Sequence, residues 1–230
     1  MTSLDRLGSR VEALRHFVDV TSPHLPPSRL AAARALVDRA GERLALSRAH
    51  TVVALAGATG SGKSSIFNAL AGQELSPVGL RRPTTGAAHS AVWGAEPARE
   101  LLDWLDVGHR FGASTMDGLD GLVLVDLPDF DSVQREHRIE ADRLLGLVDL
   151  IVWVLDPQKY ADRVLHRQYL AQFGHHRDIT VVALHQADRL DDASLDACLT
   201  DLSRLLSADV SAESRCSAAT REATVFSSTA

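Results

Sequence analysis

The 230-residue sequence has only two cysteines, Cys198 and Cys216, and their spacing matches neither a metal-binding nor a redox motif. Thiols left free in this way fit a reducing compartment. No apolar run approaches the roughly 18 residues that a membrane-spanning helix needs. The opening "MTSLDRLGSR" has no apolar core of the kind found in secretory leaders. Positive charge is not in excess either. The formal net charge is −6, which removes any global footprint for nucleic acid, and Arg81-Arg82 is too short to supply a local one. Ten histidines are present, but none stands in an H-E-x-x-H or a cysteine-paired pattern. His175 and His176 are adjacent, so they diverge in a strand and share a site poorly in a helix. No Ser-His-Asp or paired-carboxylate arrangement can be argued from spacing. These absences predict a cytoplasmic chain without a transmembrane segment, a transition-metal centre or a nucleic-acid surface.

What the chain does have is core-forming material: 45% of residues are apolar, enough for one large domain or a domain with an appendage. Leu4, Leu7, Val11, Leu14 and Val18 recur at helical spacing. "TSPHLPPS" breaks that pattern with three prolines. Leu30, Val37 and Leu44, with Ala33 and Ala40 between them, mark a second helix. Residues 1–48 are therefore expected to form a helical pair. Two short helices give too few heptads for a coiled-coil stalk, which favours packing against the main domain.

From residue 50 the rhythm changes. Apolar strands are expected at "TVVALAG", "GAAHSAVWG", "GLVLVDLPD", "DLIVWVLDP" and "DITVVALHQAD". Helical segments alternate with them: "KSSIFNALAG", "PARELLDWLD" followed by a glycine-containing loop, "REHRIEADRLLGLV", "DRVLHRQYLAQF" and "DDASLDACLTDLSRLL". Strands without polar alternation, separated by helices, predict a mostly parallel sheet covered on both faces, a three-layer α/β/α domain over residues 49–206. Residues 207–230 are dominated by Ser, Thr and Ala, and no strand is visible there. This stretch is expected to be an irregular or truncated tail.

One stretch carries chemistry. Gly57-Ala58-Thr59-Gly60-Ser61-Gly62-Lys63-Ser64 satisfies G-x-x-x-x-G-K-[ST], with a strand before it and a helix after it. Glycines let the backbone curl so that successive N–H groups face phosphate oxygens, and the helix adds its positive end. Lys63 would neutralise the β- and γ-phosphates, and the Ser64 hydroxyl would ligate Mg²⁺, which takes hard oxygen ligands. Asp126, at the end of "LVLVD", is placed to support that ion through water.

With these motifs in view, the chain resembles the G domain of Ras-like GTPases related to translation factors. The resemblance is nearest to the Era/septin-like branch and to bacterial dynamin-like or YfjP-type GTPases. It runs from about Thr51 to Leu206 and implies a P-loop NTPase fold, GTP or GDP with Mg²⁺, and GTP hydrolysis. Through "GKSSIFNALAGQELSPVGLRRPTTG" it places the switch threonine, a Mg²⁺ ligand and the best group for positioning attacking water, at Thr85, with Thr84 as the fallback. "DLPD", Asp126 to Asp129, stands at the DxxG position, and "HQAD", His185 to Asp188, at the [NT]KxD position. Ser217 and Ala218 echo the SAx motif, and Ser65 continues the phosphate loop. A protein partner or a G-domain dimer is implied. Membrane-peripheral association would come only through segments beyond this sequence.

Four departures from the family pattern bear on function. Asp129 replaces the glycine whose N–H meets the γ-phosphate, and a carboxylate there is unfavourable unless it points away. Phe130 stands where many relatives orient water with glutamine, and Gly60 stands where some Era-like loops carry a K⁺-associated asparagine. His185 and Gln186 replace the usual Asn and Lys, leaving Asp188 to accept from guanine N1–H and N2–H. The expectation is a slow GTPase acting as a switch. Its rivals are a non-hydrolysing nucleotide-binding regulatory module and a P-loop ATPase or small-molecule kinase. Against the last, no LSGG-type signature is present, and no acid follows Asp126 directly. Lys159 and Tyr160 read as surface residues after a strand.

Overall fold

The computed structural model describes residues 3–47, 49–77, 87–113, 118–129, 135–161, 179–213 and 225–227. The predicted helix "DRVLHRQYLAQF", Arg81-Arg82, Thr84, Thr85, Phe130, His175-His176, Cys216, Ser217 and Ala218 lie outside them. Among the described residues, seven strands form one sheet in the order β3-β2-β4-β1-β5-β6-β7. They are β1 (Thr51–Ala56), β2 (His89–Val92), β3 (His109–Gly112), β4 (Leu122–Asp126), β5 (Leu150–Leu155), β6 (Thr180–Leu184) and β7 (Val225–Ser227). The run from β4 through β1, β5 and β6 to β7 is parallel. β2 pairs antiparallel with β4, and β3 follows β2 in parallel at the edge. The mostly parallel α/β sheet and the N-terminal helical pair are as the sequence predicts.

The chain divides into two compact units, Met1–His50 with Glu96–Trp104 and Thr51–Ala95 with Leu105–Ala230. In the first, α1 (Ser3–Thr21) and α2 (Pro27–Leu46) pack on one another. Pro26 and Pro27 set the start of α2, where a missing N–H costs nothing. Val18, Leu30 and Val37 are buried, as the helical spacing requires, while Leu7 stays 44% exposed. The short α4 (Arg99–Trp104) belongs to this unit, and His50 Nε2 pairs with the Glu96 carbonyl at 3.1 Å just ahead of it.

In the second unit, α3 (Lys63–Ala71) lies on the sheet through Phe67 and Ala71, which join Leu55, Ala91, Trp93, Leu124 and Val154 in a buried cluster. The central strands bury both faces, which is why their sequences lack polar alternation. α5 (Arg135–Leu145) buries Ala141, Leu144 and Leu145. Three elements differ from expectation. β3 was expected as loop, because an edge strand of four largely exposed residues, "HRFG", gives no apolar signal. α6 (Asp192–Glu213) continues seven residues beyond Leu206, because Ala and Ser tolerate the helix well enough once it has started. β7 adds to β6 in the stretch read as strandless, through a Val-Phe-Ser triplet too short to register in the sequence.

Candidate functional site

The parallel strands deliver their C-terminal ends to one edge of the sheet, and β1 passes there into the phosphate loop. Two glycines are dictated by what surrounds them. A Cβ on Gly57 would overlap the Val154 carbonyl oxygen, so only glycine lets the loop leave β1 beside β5. Gly62 has φ +99°, and a Cβ there would clash with the Nδ1–Cε1 edge of the His185 ring. The loop closes on itself through Ser61 N–H to the Ala58 carbonyl at 3.2 Å. Helix α3 starts at Lys63, and Phe67, fully buried beneath it, fixes where its N-terminal end points. Ser61 is also buried, and its hydroxyl has no hydrogen-bond partner among the described residues.

Beside the loop, Asp126 ends β4 at zero exposure. Its Oδ2 accepts from the Ser64 and Ser76 hydroxyls, each at 2.7 Å. Its Oδ1 is buried without a partner among the described residues. Burial pushes the Asp126 carboxyl above its ordinary value; the Lys63 charge, the two hydroxyls and His89 oppose that rise. His89, paired with Asp126 across β2 and β4, stacks on His109 with ring centroids 4.5 Å apart. Burial and the His109 charge push His89 down, so its ring favours the neutral form. A serine hydroxyl on a buried carboxylate, with one carboxylate oxygen still without a donor, is a hard-oxygen arrangement that fits Mg²⁺. Among the described residues, no three His, Cys, Asp or Glu side chains cluster to hold a metal on their own, so an ion here would need phosphate or water to complete its shell.

The lysine has an internal partner. Lys63 Nζ meets Asp129 Oδ1 at 2.5 Å and donates to the Ala58 carbonyl at 3.2 Å. Both side chains are buried, at 3% and 5% exposure, and Asp129 Oδ2 has no partner among the described residues. The Asp129 carboxylate thus points at the phosphate-loop lysine.

The segment after β6 closes over the other side of the loop. His185 Nδ1 pairs with the Ser61 carbonyl at 3.1 Å, and Gln186 Nε2 donates to the Gly60 carbonyl at 3.2 Å. Gln186 takes φ 60°, an unusual backbone state for a non-glycine residue, and leads into a 3₁₀ turn, Ala187–Arg189, that leaves Asp188 exposed. A further cation reaches the loop from β5. Lys159 Nζ donates to the Thr59 carbonyl at 2.7 Å. Its turn is held by Asp156 Oδ1, which accepts from the Gln158 and Lys159 N–H groups at 2.9 and 3.1 Å.

The structure thus gathers Gly57 to Ser64, Asp126, Asp129, His185 and Gln186 around one loop, with Ser65 exposed on the first turn of α3 and Asp188 at the rim. Thr85, Ser217 and Ala218 lie outside the described residues. Sequence reasoning missed Ser76, Asn68 and Lys159. Asn68 holds the 75–76 segment by accepting from the Leu75 and Ser76 N–H groups at 2.9 and 2.8 Å, and so aims the Ser76 hydroxyl at Asp126. Nothing in "FNALAGQELS" signals this, because the contact is made only after α3 has turned the chain back. Lys159, read from the sequence as a surface residue after a strand, is half-buried and bonded to the loop. The only hint was its place just after a strand, at the sheet edge where the loop also lies.

Residues 52–186, more than half of the chain, match the protein family described as 50S ribosome-binding GTPase. Among solved structures, one chain of an oligomerised bacterial dynamin pair that senses and tethers membranes aligns with 89% of this chain and 42% of its own, at 14% identity and TM-score 0.53. Era of Aquifex aeolicus bound to GDP·AlF4⁻ aligns over 68% of this chain and 47% of its own, at 13% identity and TM-score 0.50. Era in complex with MgGDPNP and a 16S ribosomal RNA fragment aligns over 69% and 48%, at 15% identity and TM-score 0.50. At these identities the likeness is one of fold, and the chain spans less than half the length of each of these proteins. The curated proteins contain no match. No helix among the described residues is long and apolar enough to cross a membrane. The chain belongs to the family of 50S ribosome-binding GTPases.

Proposed function

We propose that this member of the family is a guanine-nucleotide switch that binds GTP with Mg²⁺ and hydrolyses it slowly to GDP and phosphate. The observation that carries the reading is the corner made by Lys63, Ser64 and Asp126. The Lys63 ammonium lies against the loop's Ala58 carbonyl, and beside it the Ser64 hydroxyl donates to the buried Asp126 carboxylate, whose other oxygen has no partner among the described residues. The N–H groups of Gly60 to Ser64 and the Lys63 ammonium hold the polyphosphate. Ser64 and Asp126 are the residues that would hold Mg²⁺, which when bound neutralises charge building on the β- and γ-phosphates. Thr85 is the proposed second protein ligand, and its carbonyl the group that orients attacking water. Hydrolysis then releases the segments carrying Thr85 and Asp126 to Phe130, which makes the switch. His185 and Gln186 brace the loop from the base side, and Asp188 accepts from guanine N1–H and N2–H; Ser217 and Ala218 complete that side. A second G domain is the proposed protein partner, consistent with the oligomeric bacterial dynamin pair.

Slow turnover follows from Phe130, which cannot orient water, and from Asp129. The buried Lys63–Asp129 pair also favours a second reading, a nucleotide-binding regulatory module without hydrolysis. Single-turnover release of γ-phosphate separates the two. The switch GTPase releases phosphate from bound GTP, and Lys63→Ala abolishes the release. No release from the wild-type chain at saturating GTP leaves the regulatory module standing.

A further inference from the structure

A phosphate-loop lysine buried without an anion carries a heavy desolvation penalty. Here Asp129 supplies the anion from within the chain. Its carboxylate stands three residues beyond the metal-supporting Asp126, with Oδ1 on Lys63 Nζ and Oδ2 buried without a partner among the described residues. The lysine of such a loop serves the β- and γ-phosphates together. A nucleoside diphosphate ends at the β-phosphate and needs only part of what Lys63 can donate. A triphosphate brings a further anionic group to the side of the lysine that Asp129 holds.

We infer that Asp129 is a specificity-determining residue that counts phosphates: it lets a guanosine diphosphate bind with the Lys63–Asp129 pair intact, and it must be displaced before a triphosphate can seat. The inference rests on the proposal that guanine nucleotides bind this loop. Two anions cannot share one buried ammonium without cost. In a site of low dielectric, the repulsion between a carboxylate and a phosphate a few ångströms apart is worth several powers of e in affinity. Displacing Asp129 also exposes the lysine to whichever anion replaces it, so the cost falls on the triphosphate alone. The diphosphate complex then keeps the Asp126–Asp129 segment where the Lys63–Asp129 pair holds it, with the carboxylate in the place a terminal phosphate would take.

The test is a titration of the full chain with GDP and with the non-hydrolysable triphosphate GMPPNP at fixed Mg²⁺, for wild type, Asp129→Asn and Asp129→Gly. The wild type should bind GDP at least about tenfold more tightly than GMPPNP. Both substitutions should narrow that ratio by a similar factor, through a gain in triphosphate affinity and little change for GDP. A wild type that binds GMPPNP as tightly as GDP overturns the inference without any variant, and leaves nucleotide binding intact. So does a ratio unchanged in both variants. Asp129→Asn leaves Lys63 without a counter-charge, so folding of each variant is followed by circular-dichroism melting with GDP present, and Asp129→Gly provides the independent case. If neither nucleotide binds the wild type, the proposed function falls and the inference with it.

Discussion

The phosphate loop and the His185–Asp188 segment touch each other, yet they carry the family pattern to different degrees. The loop, Gly57 to Ser64, satisfies G-x-x-x-x-G-K-[ST] at every fixed position. The segment keeps only Asp188 and substitutes a histidine and a glutamine in front of it. The difference follows from what each does. The loop binds with its backbone, so its residue types are fixed by curvature and by close approach: Gly57 faces the Val154 carbonyl and Gly62 faces a ring. The segment works through side chains that reach the loop's carbonyls, and more than one side chain can do that. His185 on Ser61 and Gln186 on Gly60 are such solutions. Bracing of the loop tolerates replacement, whereas curvature does not.

The contrast can be broken hardest at Gly62. Gly62→Ala drives a methyl group into the Nδ1–Cε1 edge of the His185 ring and forces a positive φ on alanine. A loss of about 2–4 kcal/mol is expected in urea denaturation, with loss of nucleotide binding. Adding His185→Ala should recover the steric share and leave the backbone share, a coupling that a double-mutant cycle reads directly. Additive effects would mean that the ring and the loop do not depend on one another.

The metal-supporting side is sharpened by pH. The Asp126 carboxyl is raised above its ordinary value of 3.8, chiefly by burial, so the folded chain holds that proton more tightly than the unfolded one. Its stabilising contribution is full below 3.8 and is lost as pH rises through the raised value. In the nucleotide-free chain, melting temperature compared with Asp126→Asn should shift against the wild type as pH climbs through that window. A constant gap across it would contradict the burial argument.

The smallest effect is expected at Lys159, whose ammonium is half-buried and meets a single carbonyl. Lys159→Ala should cost about 0.5–1 kcal/mol in urea denaturation and weaken GDP only slightly. A large loss of nucleotide affinity would move Lys159 from bracing the loop to contacting phosphate.

The same division explains what could be read in advance. The parallel strands and the loop are contiguous runs whose residue types are demanded locally, so β1, the loop and α3 were visible together. β3 and β7 are short edge strands that take their conformation from a neighbour. Ser76, Asn68 and Lys159 act across 50, 8 and 100 positions of sequence, and no local pattern records such contacts. Asp129 is the instructive case. Its departure from glycine was plain in the sequence, but its direction was not, because the partner, Lys63, lies 66 residues away.

The central claim, a guanine-nucleotide site on this loop, is tested most directly by competing GDP against ADP for the Mg²⁺-bound chain. The account predicts that GDP binds more tightly and that Asp188→Ala erases the difference. ADP binding as tightly as GDP would contradict it and would favour an ATP-using enzyme or kinase on the same fold.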